Sequence, residues 1–240
     1  MMEQTGLGWL AADYHFPATY SCRLSFSSPN SALISPAPGP ATVRLALIRV
    51  GVEIFGKDVV RDLLFPTIRS ASVCIRPPEL VAMSGQVLRA YKAVEKKGHV
   101  SYQESVVYRQ MAHAEGTMTV YLELPLQERN MWETLLMNIG YWGQTSSFAT
   151  CLQVQERAPL KSECVQPLEG LSERNVVRPY LSCLQSEFRD ANVTWREIVP
   201  FDGLFSPKVQ KPLKLEVYVW PLQVVKQDGR NVLLARTSFP

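Results

Sequence analysis

Apolar and polar residues alternate over Ala18–Phe26, ATYSCRLSF, and predict a strand. The loop SSPNSALISPAPGP follows, with Pro36, Pro38 and Pro40 alternating at its end. The spacing then changes. Val43, Leu45, Ala46, Leu47, Val50 and Ile54 make one broad apolar face, which predicts a helix. Pro40 suits its first turn, where a missing N–H costs nothing, and Gly56 suits its stop. Ser70–Arg76 is a short strand, ended by Pro77 and Pro78, which cannot donate to a ladder. PELVAMSGQVLRAYKAVEKKG reads as a second helix, with Gly98 as its stop. Tyr102–Met111 and Thr117–Leu124 are β-rich runs around AHAEG and read as a hairpin.

Pro125–Ile139 predicts a further helix that buries Leu126, Met131, Leu135 and Leu136. The glycine-marked link GYWGQTSSF leads to a strand over Phe148–Gln155. Strand, helix, strand, insertion, strand, helix, strand is the order of a ferredoxin-like (RRM-like) βαββαβ core in an α+β fold. The expected division is an N-terminal extension at 1–17, a ferredoxin-like domain at 18–157 with an insertion at about 76–115, and a smaller β-rich region at 158–240. In that last region a helix is expected near Tyr180–Phe188 and a strand over Pro212–Trp220. Gln223–Lys226 and Val232–Arg236 flank the turn QDGRN as a hairpin.

Composition narrows the chemistry only slightly. The chain has 240 residues, 46% hydrophobic and 20% charged, as in ordinary globular proteins. A net charge of +3 is too small for a uniformly basic surface, so any polyanion site must be a local patch. No apolar run reaches the roughly 20 residues of a membrane span, and no basic stretch followed by an apolar one opens the chain. The five cysteines have no CxxC spacing and read as reduced thiols, which suits a cytoplasmic protein without membrane partners.

No HExxH, P-loop, GxSxG or GxGxxG is present, and neither metal nor cofactor is expected. Positive charge gathers in one region: Arg89, Lys92, Lys96 and Lys97, then Arg109, with His99 and Tyr102 among them. Basic groups neutralise phosphates and aromatic rings stack on unpaired bases, so these residues are candidate RNA contacts. A solvated Lys-rich helix end gives the same pattern. Tyr141 and Trp142 are either surface aromatics beside glycines or core residues at a turn. His99 and Lys97 also supply the residue types of a metal-independent ribonuclease.

Two motifs together carry a resemblance. One is ISPAPGPATVRLALI, which feeds the first helix; the other is IGYWGQTSSF between the last helix and strand. Ile139, Tyr141, Gly143 and Ser147 stand as in a turn of the form IxYxGxxxS. In these respects the chain resembles the Cas-five family, the subunits of type I CRISPR Cascade complexes that bind the crRNA 5′ handle. The resemblance covers the order of elements over about Ala18–Gln155 and equates the insertion Arg76–Glu115 with the family's thumb.

It implies a non-catalytic subunit in antiviral defence. Such a subunit caps the complex beside a large subunit and contacts the backbone subunit, crRNA and target DNA near the protospacer-adjacent motif. It also places the proline-rich junction near the RNA-handling surface and makes Arg44 a phosphate contact. One branch of the family processes precursor crRNA with tyrosine, lysine and histidine; Tyr91 or Tyr102, Lys97 and His99 supply those types. An endoribonuclease on the same fold and an unrelated α/β small-molecule enzyme are the alternatives.

Overall fold

The computed structural model describes residues 6–24, 27, 31–96, 99–171, 180–198 and 212–239. In chain order the first elements are β1 (Leu7–His15), β2 (Cys22–Arg23), β3 (Ser31–Ala32), β4 (Ile34–Ser35) and α1 (Pro40–Phe55). Helix α2 (Lys57–Val59), a π turn (Val60–Leu64) and α3 (Phe65–Ser70) lead into β5 (Val73–Arg76). Next come β6 (Leu80–Lys96), β7 (His99–Glu115), β8 (Met118–Pro125), α4 (Arg129–Met137) and β9 (Thr150–Glu156). The last are β10 (Gln166–Pro167), β11 (Tyr180–Phe188), α5 (Trp195–Ile198), β12 (Leu213–Asp228) and β13 (Asn231–Arg236).

The class is α+β, as expected. One antiparallel sheet runs in the order β5-β8-β1-β9. Leu10, Ala12 and Tyr14 of β1 join Val120 and Leu122 of β8 in the main core. Val43, Leu47 and Val50 of α1 and Trp132, Leu135 and Leu136 of α4 complete it. The Tyr14 hydroxyl donates to the Leu136 carbonyl at 2.7 Å, which fixes α4 against the central strand.

Strand β1 corrects the N-terminal reading. Residues 7–15 are no extension: β1 lies between β8 and β9, while the described part of the expected strand at 18–26 keeps only the two residues of β2. LGWLAADYH lacks β-branched residues and reads weakly by propensity; pairing on both sides decides its state.

A second sheet runs β10-β12-β13-β6-β7-β3, with β11 also paired to β12. Three expectations change here. The helix predicted over 78–98 is replaced at Leu80–Lys96 by strand β6, in unbroken antiparallel register with β7 from Leu80↔Glu115 to Lys96↔His99, and its expected stop, Gly98, lies outside the described residues. Its apolar residues fit a helical period as well as a strand's, and the long-range ladder decides between them. The predicted helix at Tyr180–Phe188 is strand β11, paired to β12 along its length. The 102–111 and 117–124 runs are strands but not a hairpin, because β7 pairs β6 whereas β8 pairs β1 and β5.

The chain changes sheets at Gly116, whose φ of +84° favours glycine. The Glu79 carboxylate fills the space beside that glycine and accepts from the Thr117 amide at 2.9 Å. The hairpin around QDGRN forms as expected, with Asp228 opposite Asn231. Since β13 pairs β6, the C-terminal region and the 76–115 insertion share one sheet.

Candidate nucleic-acid interface

Strands β6 and β7 have 17 residues each, roughly 55 Å of extended chain at about 3.3 Å per residue. Their bases belong to the body: Val81, Ala112 and Ala114 are buried in the main core. Tyr20 and Ala112 exchange backbone hydrogen bonds of 2.8 Å along the outer edge of β7. Farther out the strands open to solvent.

Strand pairing sorts the outer residues by face, because side chains alternate and cross-strand partners share a side. One side takes Gln86 with Arg109, Lys92 with Gln103, Val94 with Ser101 and Lys96 with His99. Leu88 and buried Val107 lie toward its base. From Gln86 outward this side carries Arg109, Lys92, Lys96 and His99 and no carboxylate. The other side takes Val87 with Tyr108, Arg89 with Val106, Tyr91 with Glu104, Ala93 with Tyr102 and Glu95 with Val100.

The candidates are thereby divided. Lys92, Lys96, His99 and Arg109 share one face, whereas Arg89 and Tyr102 belong to the opposite one. Arg89 pairs with Glu104 at 3.3 Å and is well exposed. Lys97 lies outside the described residues. His99 also falls on the face opposite Tyr91 and Tyr102, so the register separates the tyrosine and histidine of the expected catalytic trio. His113 is not at a hairpin tip either; it stands opposite Ala82 within β7.

Arg44 is a correction. It is buried, and its Nε donates to Glu187 Oε1 at 3.0 Å. Its Nη1 donates to the carbonyls of Ile68 and Ala71 at 3.1 and 2.8 Å, and its guanidinium sits 5.6 Å from the Phe188 ring centre. Protein groups surround it, so Arg44 ties α1 to the end of α3 and to β11 rather than meeting phosphate. The proline-rich junction is interior as well: residues 34–41 are buried, and the Tyr20 hydroxyl donates to the Pro36 carbonyl at 2.5 Å.

Trp142 is likewise a core residue, fully buried and edge-on to Tyr14 with centroids 5.0 Å apart. Tyr141 is half-buried beneath Arg49, whose guanidinium lies 3.9 Å from the ring centre. Gly143 has a φ of +71°, and the buried Ser147 hydroxyl accepts from the Ser21 amide at 3.0 Å. The motif residues Ile139, Tyr141, Gly143 and Ser147 thus build and anchor a turn.

Sequence reasoning missed Asp13, which is buried on the face of the first sheet away from α4. Thr119 Oγ1, Gln153 Nε2 and Arg157 Nη2 donate to its carboxylate at 2.5, 2.8 and 2.9 Å. Burial pushes its pKa up, but these three donors outweigh it and hold the group below its ordinary value. No local signal marks Asp13, since its partners lie 106 to 144 residues away. Among the described residues no three His, Cys, Asp or Glu side chains gather as a metal site, and no helix is long and apolar enough to cross a membrane.

No protein-family profile matches the chain. An 84-residue segment is 29% identical to the CRISPR-associated protein Cas5 of Archaeoglobus fulgidus, covering 35% of this chain and 37% of that protein. A crystal structure of a CRISPR protein from Archaeoglobus fulgidus aligns over 96% of this chain and 92% of its own, at 14% identity and a TM-score of 0.37. The sequence match bears out the Cas-five resemblance over the matched segment.

Proposed function

We propose that this protein is an RNA-binding, non-catalytic subunit of a CRISPR Cascade complex, with the outer β6–β7 hairpin as its thumb. The observation that carries this reading is the carboxylate-free face bearing Lys92, Lys96, His99 and Arg109. Two of these are lysines near the hairpin end, where a backbone phosphate can approach without meeting the body. The relative's name, CRISPR-associated protein Cas5, supports the CRISPR setting.

The ferredoxin-like reading of the first sheet is part of the proposal. Numbered along the core, β1, β5, β8 and β9 are strands one to four. Their order in the sheet is then two, three, one, four, with α1 and α4 as the intervening helices. In this reading the hairpin holds the crRNA 5′ handle. The body caps the complex in the cytoplasm, between a backbone subunit and a large subunit that meets target DNA near the protospacer-adjacent motif.

The test is RNA binding by the purified chain, using CRISPR repeat RNA with EDTA present. Tight, salt-sensitive binding without cleavage is expected, and Lys92→Glu with Lys96→Glu should weaken it at least tenfold, roughly the effect of leaving two phosphates without a cation. Unchanged affinity in that double variant would remove the hairpin from the RNA site. Site-specific cleavage that disappears in His99→Ala would replace this reading with the endoribonuclease one.

A further inference from the structure

The second face of the hairpin has chemistry unsuited to a polyanion. Val87, Tyr91, Val100, Tyr102 and Val106 share it and are between 55% and 73% exposed. The charged groups among them are Arg89, Glu95 and Glu104, and Arg89 is already paired with Glu104. The remaining charge is the Glu95 carboxylate, exposed beside Val100. An apolar, aromatic strip with net negative charge repels phosphate and favours a partner with apolar and cationic groups.

The protein itself demonstrates such a cover at the base of the same face. Tyr108 lies across Gly85, where any side chain would collide with its ring. The Arg230 guanidinium, from the β12–β13 turn, sits 5.8 Å from the Tyr108 ring centre. The Gly85 amide donates to the Arg230 carbonyl at 3.3 Å, which holds that turn against β6. Farther out, tyrosine recurs at 91 and 102 with carboxylates beside it, but at 72% and 73% exposure neither ring has a comparable cover.

We propose that this outer face docks a protein subunit presenting an apolar strip edged by arginine or lysine. The hairpin then acts as a divider, with RNA on the lysine face and protein on the tyrosine face. Cations of the partner would stack on Tyr91 and Tyr102, as Arg230 does on Tyr108, and would pair with Glu95. Burial of the five large apolar residues would provide the driving force. This inference rests on the proposed place in a ribonucleoprotein, but it concerns a different face and is read separately.

The experiment uses neighbouring residues on opposite faces. A benzophenone amino acid is introduced at Tyr102, and separately at Gln103, in the tagged full chain purified with its native complex. Position 102 should crosslink to a stoichiometric protein subunit, at a peptide rich in apolar and basic residues; position 103 should crosslink to RNA. RNA at position 102 would mean that the tyrosines stack on bases, and would overturn the inference. No adduct at 102 would overturn it too.

Failure at 103 alone would sink the RNA reading and leave this one standing. A chain purified with neither RNA nor a stoichiometric protein would overturn both. In a parallel test, Tyr91→Ser with Val106→Ser should lower partner recovery about tenfold, as loss of an interface anchor does. Repeat-RNA affinity of the isolated variant should stay within about twofold. Full retention of the partner would reject the docking face.

Discussion

Arg44 and Asp13 are ionised residues whose roles come from partners far away in sequence. Arg44 has one carboxylate and two carbonyls around it, in a site nearly closed to water. Arg44→Met should therefore cost about 3 kcal/mol by leaving the largely enclosed Glu187 without its cation, and adding Glu187→Leu should recover part of it. Thermal denaturation of the two variants checks this, and repeat-RNA affinity of the folded Arg44→Met protein should match the wild type. Asp13 makes a pH prediction. Its pKa is depressed in the folded protein, so its stabilisation is present above the ordinary carboxylate pKa and is lost as pH falls through the folded value. Wild-type melting temperature should drop below about pH 4, whereas Asp13→Asn should be less stable at neutral pH and lose less on acidification. Neither residue was legible: an Arg on an apolar helix and a lone Asp near the N-terminus carry no sign of what surrounds them.

In the proposed function the β6–β7 hairpin is the decisive element, and its charges were visible in the sequence while its faces were not. A helix over 78–98 would gather Arg89, Lys92 and Lys96 on one face and set Tyr91 on the other. The strand pair instead keeps Lys92 and Lys96 on one side with Arg109 and His99, and moves Arg89 to the side of the tyrosines. Charge reversal on each side should therefore differ. Lys92→Glu with Lys96→Glu should reduce the slope of log affinity against log salt by about 0.7 for each phosphate no longer neutralised, while Glu95→Gln should leave it unchanged. Fluorescence anisotropy across a salt series measures both. Gly85 supports the same element from below. Gly85→Val would push its side chain into the Tyr108 ring, with an expected cost of about 1–3 kcal/mol. Faster amide exchange in the outer hairpin would report it.

At the scale of the molecule, the expected C-terminal appendage is a structural partner of the insertion. Strand β13 covers one edge of β6 from Leu80 to Ser84, and Phe188, Trp195 and Trp220 join the main core. A chain ending at Arg157 would lose those aromatics and leave that edge of β6 unpaired. It should fail to unfold cooperatively and should aggregate, whereas the full chain should give a single transition by calorimetry and a sharp peak by size exclusion. A well-folded 1–157 fragment would restore the two-domain reading.

The sequence by itself determined helices α1 and α4, the short strand β5, strand β9, the turn at QDGRN and the glycine turn after α4. Its motifs also carry the resemblance to the Cas-five family. These features rest on local chemistry: apolar periodicity on one helix face, proline at a helix start, glycine where φ must be positive. Tertiary structure alone decided that β1 is a central strand, that 80–96 and 180–188 are strands, and that Arg44 and Trp142 point inward. It alone separated Arg89 from Lys92 and Lys96. Backbone groups in a strand are satisfied by a partner that can lie anywhere in the chain, so strand identity and register are non-local. A side chain's exposure likewise depends on what the rest of the molecule lays over it.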